Sequence, residues 1–206
     1  MTPGKLAVPP GRAGRIWLVR RLDTARRGAD LLDRKLRILQ RELSRLQVTA
    51  AGTAAEWDKC QAEARTWLLR AALLGGERAI QLADDDQAAD VRVSYATTMG
   101  IRHPQMATCT LPPTLTWDSP VLAGAREAHR AALEAAARHA AAAAAVRMVD
   151  DEVRTTRYRL RAVKDRWIPR LEQALAEVTF TIEELEHADA ARLRLANRPG
   201  YVLAGR

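Results

Sequence analysis

Apolar residues recur along the first third of the chain in steps that alternate between three and four. From Leu18 the series runs through Leu22, Ala25, Ala29, Leu32, Leu36, Leu39, Leu43, Leu46, Ala50, Thr53, Trp57, Cys60, Ala64, Trp67 and Ala71 to Leu74. Only Thr53 in this series is not apolar. Chance would produce such a run about once in ten thousand trials for a fixed register. A mean step of about 3.5 residues predicts a helix whose apolar seam faces a second helix in a left-handed coiled coil. At ~1.5 Å per residue, Arg15 to Leu74 would span roughly 90 Å. Gly28 and Gly52 each cost about 1 kcal/mol in such a helix relative to Ala. They are tolerated, or they mark places where something approaches closely. Gly75-Gly76 reads as the C-terminal stop.

Prolines divide the rest. None stands between Pro10 and Pro104; Pro104, Pro112, Pro113 and Pro120 then cluster, and only Pro169 and Pro199 follow. Because proline removes a helical hydrogen bond and clashes with the preceding turn, the cluster marks a non-helical middle. Within it, Asp84–Asp86 reads as a solvated loop. Val91–Tyr95 alternates with period two and reads as a short strand, with Thr97–Ile101 as its candidate hairpin partner. Cys109–Trp117 reads as irregular. Ser119-Pro120 has the form of an N-cap followed by N1. The second arm then steps through Val146, Val149, Val153, Thr156, Leu160, Val163 and Trp167, and continues through Leu171, Ala174, Val178, Ile182 and Leu185. The extra four-residue steps, Trp167–Leu171 and Val178–Ile182, are stutters that locally unwind a left-handed coil. Pro169 beside the first predicts a modest kink or straightening there.

One heptad arm cannot bury its stripe alone, so two arms around a compact insert predict an antiparallel hairpin. The fold expected is all-α: a long two-helix coiled-coil hairpin with a small middle insert containing a short β-hairpin. Its segments are a flexible tail (1–14), a first helix (15–75), the insert (76–120), a second helix (121–197) and a C-terminal tail (198–206). The expected seam comprises Leu22, Leu32, Leu36, Leu39, Leu43, Leu46, Leu160, Trp167, Leu171, Val178, Ile182 and Leu185. Charge agrees with this pairing. Residues 20–45 carry nine Lys/Arg and four Asp/Glu, whereas residues 171–189 carry six acids and no Lys or Arg. Joined termini would place the two stretches opposite each other.

Composition narrows the class further. Nine aromatic residues in 206, with apolar content dominated by Ala and Leu, exclude a β-sandwich or barrel. A net charge of +8 admits nucleic acid, an anionic membrane surface or an acidic protein as partner. Two cysteines, Cys60 and Cys109, cannot build a disulfide framework and point to a reducing compartment. Cys60 lies on the apolar stripe and reads as a buried structural thiol. No apolar run approaches the ~20 residues of a membrane helix, and the N-terminus has no signal-peptide core. The expectation is a chain without direct membrane insertion.

Catalytic, cofactor and metal residues are not assigned. There is no phosphate-binding loop, and Gly11-x-x-Gly14 follows no strand. His103, His129, His139 and His187 lack metal spacing. Asp84–Asp86 lacks the spaced ligands of a calcium loop. What remains are basic clusters: Arg20-Arg21, Arg26-Arg27, Arg34-Lys35 and Arg37, then Arg154, Arg157, Arg159, Arg161, Lys164, Arg166 and Arg170. They form a solvated coiled-coil face or an electrostatic surface for an acidic partner. Nucleic acid is disfavoured, since a lone basic cluster is a weak signal for it.

Three stretches carry a family resemblance: Thr155-Thr156-Arg157-Tyr158-Arg159-Leu160-Arg161-Ala162-Val163-Lys164, Ile168-Pro169-Arg170-Leu171, and Ile182-Glu183-Glu184-Leu185-Glu186. Together they resemble the C-terminal signature of the D subunit of V/A-type rotary ATPases. Ala25-x-x-Gly28-x-x-Leu31-Leu32-x-x-Lys35 and Gly100-Ile101-x-x-Pro104 are similar to its N-terminal and middle motifs. Departures are Asp33, Arg161, Lys164 and His187, where the family usually has Lys, Asn, Glu and Arg. The resemblance implies the non-catalytic central rotor shaft, cytoplasmic and peripheral on the membrane through its complex. Its implied partners are the catalytic and nucleotide-binding subunits of the hexamer, the small F subunit and the subunit capping the membrane ring. Arg26, Arg27, Lys35, Arg157, Arg159, Arg161, Glu183 and Glu184 are the candidate interface residues. The alternative is a basic coiled-coil scaffold or nucleic-acid-binding protein.

Overall fold

The computed structural model describes residues 6–83, 88–113 and 119–197. Helix α1 spans Gly11–Leu82, strands β1 and β2 span Asp90–Thr98 and Ile101–Thr110, and helix α2 spans Pro120–Arg161. A π-helical turn, α3, covers Ala162–Trp167, and helix α4 covers Ile168–Ala196. The fold is mostly helical, with two long helical arms and one two-stranded antiparallel sheet between them in sequence. Expectations for Asp84–Asp86, the tail from 198 onward and much of Cys109–Trp117 fall outside the described residues.

The chain divides into two compact units: residues 1–34 with 156–206, and residues 35–155. In the first unit, Leu18, Leu22 and Leu171 form a buried centre, with Trp17, Ala25, Trp167, Ile168, Ala174, Leu175 and Val178 packed around it. Two ion pairs fix the antiparallel register. Arg12 bonds Glu186 at 2.6 Å and Arg26 bonds Glu172 at 2.7 Å. The step from Arg12 forward to Arg26 equals the step from Glu186 back to Glu172, two heptads on each arm. Leu185, expected in the seam, is 59% exposed. Opposite it, at Arg12, the start of α1 offers Arg and Gly rather than a large apolar side chain.

The π turn answers the first stutter. Proline at 169 has no N–H, and its ring would clash with the Asp165 carbonyl in a regular α-helix. Widening the preceding turn avoids this, and the Ile168 N–H bonds the carbonyl of Val163, five residues back. The extra residue in the turn matches the two successive four-residue steps from Val163 through Trp167 to Leu171.

In the second unit the stripe of α1 supplies buried Leu36, Leu39, Leu46, Ala64 and Ala71, while α2 supplies Ala135, Ala141, Ala142, Ala145, Val149 and Val153. Leu43 is half-buried. Lys35 bonds Glu152 at 2.6 Å and Arg138 bonds Glu56 at 2.9 Å. The expectation that all of 20–45 faces 171–189 is thereby corrected: from Lys35 onward the partner is α2. Large meets small here. A Cβ on Gly124 would lie 2.7 Å from the Trp67 ring, so only glycine fits under that indole. Gly75-Gly76 does not end α1; Gly76 takes φ 72° and ψ 165°, a kink after which helix resumes to Leu82. Beyond Ala71 the stripe loses cover, and Leu73 and Leu74 are exposed.

The hairpin is longer than its sequence pattern indicated. Thr97 and Thr98 belong to β1, and the partner strand runs from Ile101 to Thr110, paired Thr98 with Ile101 through Asp90 with Thr110. Met99 and Gly100, both at positive φ, form the two-residue turn. Pro104 is accommodated at a register shift beside Tyr95, where a missing ladder donor does no harm. His103 is buried, within 3.2 Å of Thr98 Oγ1, and its Nδ1 lies 3.1 Å from the Pro104 carbonyl.

The buried stripe and the exposed leucines should respond differently. Leu39 is fully buried, so Leu39→Ala should cost about 2–5 kcal/mol. For a chain of this size that lowers Tm by roughly 5–15 °C, read by thermal circular dichroism. Leu73→Ala, at a position 85% exposed, should leave the melt unchanged. A pH effect accompanies Glu42, whose carboxyl is held below its ordinary value of 4.5 chiefly by the Arg45 hydrogen bond. Its contribution is present above the unfolded value and disappears as pH falls through the lowered folded one. Glu42→Gln should therefore flatten the acid limb of the stability profile and leave its alkaline side unchanged.

Candidate subunit interface

With the seam occupied by apolar packing, any functional surface must be outward-facing. The first unit carries the chemistry expected of one. Arg21, on α1, lies with its guanidinium carbon 5.4 Å from the Trp17 ring centroid and 5.9 Å from that of Trp167. Trp17 is one turn back on the same helix, and Trp167 ends the π turn of the opposite arm. Cation–π contacts at exposed sites contribute about 0.5–1 kcal/mol each, enough to hold the guanidinium between the two indoles.

This aromatic clasp bounds an open groove of about 570 Å³, lined also by Arg20, Thr24, Ala25, Gly28, Leu32 and Val163. Its lining is apolar except for two arginines and a threonine, with no acid. Gly28 stands on its wall, and a Cβ added there would meet nothing within 4 Å. Packing within the chain therefore does not require glycine at this helical position. Leu32 and Trp167, expected in the seam, are half-buried along the groove.

The candidate interface residues divide into two groups. Arg26 is engaged with Glu172, Arg27 with Asp23, and Lys35 with Glu152. These three are held by ion pairs within the chain. Arg157, Arg159 and Arg161 are all exposed, and among the described residues none makes an ion pair. Arg157 and Arg161 are one turn apart on the same face, because residues four apart are neighbours on a helix, while Arg159 points away from both. Like charges so placed repel by about 0.2–0.5 kcal/mol. Thr156 and Leu160, which directly precede Arg157 and Arg161, are buried. Tyr158, Arg161, Ala162, Asp165 and Arg166 line a shallow depression where the π turn begins.

The acidic side is organised differently. Glu183 borders a second groove, with Leu22, Arg26, Glu172, Leu175, Ala176, Thr179 and Phe180, and Phe180 is 62% exposed. Glu184 is exposed on α4. Sequence spacing did not reveal the Trp17–Arg21–Trp167 clasp, since its members lie on separate arms and are joined only by their register. The one local signal was an aromatic residue four positions before an arginine, a spacing that many helices contain.

No helix among the described residues is long and apolar enough to cross a membrane. Nor do three or more His, Cys, Asp or Glu side chains among them gather as a metal site. A family model described as the D subunit of ATP synthase matches residues 16–198, both arms and the hairpin together. The D subunit of a V-type ATP synthase from Thermotoga neapolitana is 29% identical over 195 residues, which cover 92% of this chain and 96% of that protein. With both helical arms, the hairpin and the outward basic surface inside the matched region, the chain belongs to the family of ATP synthase D subunits.

Proposed function

We propose that this chain is the central rotor shaft of a V/A-type rotary ATPase. Its paired helices of residues 11–34 and 156–196 sit within the hexamer of catalytic and nucleotide-binding subunits. Hydrolysis at one pocket changes which subunit closes against the asymmetric shaft, and the shaft turns. The chain itself performs no catalysis. Its remaining surface, with the hairpin, meets the small F subunit and the subunit that caps the membrane ring, coupling rotation to ion translocation. It is cytoplasmic and peripheral on the membrane through that complex.

The observation that carries this reading is the outward surface of the first unit. Arg157, Arg159 and Arg161 have no ion-pair partner among the described residues, and Gly28 faces open space. Both features are unfavourable or neutral for the isolated chain, and both are explained by a second protein bearing carboxylates and a closely approaching backbone. A scaffold or nucleic-acid function would use the arginines but has no need of an open wall at Gly28.

Arg157→Gln with Arg161→Gln should change stability by less than about 0.5 kcal/mol, since exposed charges contribute little. Binding to the hexamer, measured by titration in a reconstituted motor, should weaken by roughly tenfold, about the 1.5 kcal/mol of one charge-assisted hydrogen bond. The deficit should shrink as salt is raised. Unchanged assembly at every salt concentration, with lost DNA binding instead, would establish the scaffold reading.

Gly28→Ala should stabilise the isolated chain by about 1 kcal/mol through helix propensity, visible as a Tm raised by roughly 2–4 °C. Gly28→Leu, which fills the groove, should reduce coupled ATP turnover while the isolated chain still melts no lower than the parent. Full turnover with leucine in place would show that no partner approaches there.

A further inference from the structure

The seam of the second unit contains a polar cluster that the interface reading does not use. Thr53 occupies a seam position of α1, the single break in its apolar series. Its Oγ1 lies 3.0 Å from the Ala50 carbonyl and 3.3 Å from His139 Nδ1 on α2. A hydroxyl has one proton, and the carbonyl can only accept. The hydroxyl therefore donates to Ala50, and His139 Nδ1–H donates to Thr53. One turn further along α1, the Trp57 indole stacks on the same imidazole, with centroids 5.5 Å apart and planes 13° from parallel. Arg138, adjacent to His139, bonds Glu56, adjacent to Trp57. Thr53, Trp57 and His139 are all half-buried.

The surroundings explain why such a cluster matters. The stretch of α2 that faces α1 here presents buried Ala135, Ala141, Ala142 and Ala145. Ala135 and Ala142 stand one heptad apart. A slip of α2 by one heptad would place one alanine where the other had been, so these two methyl groups do not by themselves distinguish the two registers, although the same slip would bring Arg138 or Glu152 to the position of Ala145. The same slip would bring Ala132 or Val146 to Thr53 and Trp57 in place of His139, losing the hydrogen bond and the stacking together.

We propose that Thr53, Trp57 and His139 form a register lock, a polar and stacking pin that holds the two helices against axial sliding across an alanine-rich seam. A single polar residue in an apolar seam fixes register in coiled coils at some cost in stability. The lock is reinforced by Gly124, the only residue type that leaves space for the Trp67 indole. Sliding of one helix along the other would absorb twist or load, so a pinned pair transmits displacement along its length. This holds whichever partners the chain has.

The test is a double electron–electron resonance measurement on the full chain, with Cys60→Ser and Cys109→Ser. Spin labels replace Val48 on α1, which is 74% exposed, and Arg147 on α2, which is exposed. The parent should give one narrow distance distribution. Thr53→Val with His139→Leu should retain helicity and melt no lower, while the distribution broadens or divides. A one-heptad slip moves one label axially by about 10 Å. His139→Gln, whose amide can still donate to Thr53, should keep the distribution narrower than His139→Leu does. A single narrow distribution in the Val/Leu variant would overturn the proposal. So would loss of folding in that variant, because the cluster would then supply stability rather than register. Equal distributions for Gln and Leu at 139 would remove the hydrogen bond from the lock.

Discussion

An amphipathic helix of this length has nowhere to place its apolar stripe except against another helix, and the rest of the molecule follows from that constraint. The period of 3.5 keeps the stripe on one side for many turns, so each arm needs a partner that is apolar with the same period. Antiparallel return of the chain supplies it. Within the first unit the register is expressed by Leu18, Leu22 and Leu171 in the interior and by Arg12–Glu186 and Arg26–Glu172 at the edge. The edge pairs are exposed and contribute little energy; their value lies in choosing one alignment over another.

Where the constraint conflicts with local chemistry, the backbone yields. Pro169 cannot continue a regular α-helix, yet Leu171 must still reach the interior beside Leu18 and Leu22. A π turn over Ala162–Trp167 satisfies both by inserting the extra residue that the stutter in the sequence requires. The same turn delivers Trp167 to the side of Arg21, so an adjustment forced by packing also shapes the groove that Trp17 and Gly28 border. The second unit resolves its constraint through size: Trp67 on one arm lies against Gly124 on the other, in a seam to which α2 contributes mostly alanine. Close packing of small residues leaves alignment to a few specific contacts, and the Thr53–His139 pair is a polar one among them.

The seam gives the chain a closed interior, and the arginines at 157, 159 and 161 belong to its outer surface. The outward arginines are not used for pairing within the chain among the described residues, in contrast to Arg26, Arg27 and Lys35, which are. Membership of the family of ATP synthase D subunits gives such a surface a natural purpose, since the members of that family are parts of an assembly.

Periodicity and proline placement determined the elements, because those signals act within a few residues of themselves. Two long helices, a middle hairpin, a disturbance near Pro169 and the odd position of Thr53 were all legible in that way. Tertiary structure decided everything that depends on which residue stands opposite. Leu185 fits the stripe but is exposed, because the start of α1 has no large apolar side chain to cover it. Lys35 belongs to the basic stretch but pairs with Glu152, because α2 rather than α4 lies beside it. Gly76 carries a stop signal that the chain converts into a kink, since helix resumes after it as far as Leu82. The clasp of Trp17, Arg21 and Trp167 joins residues far apart in sequence, and no local pattern encodes a contact that exists only once two arms have chosen their register.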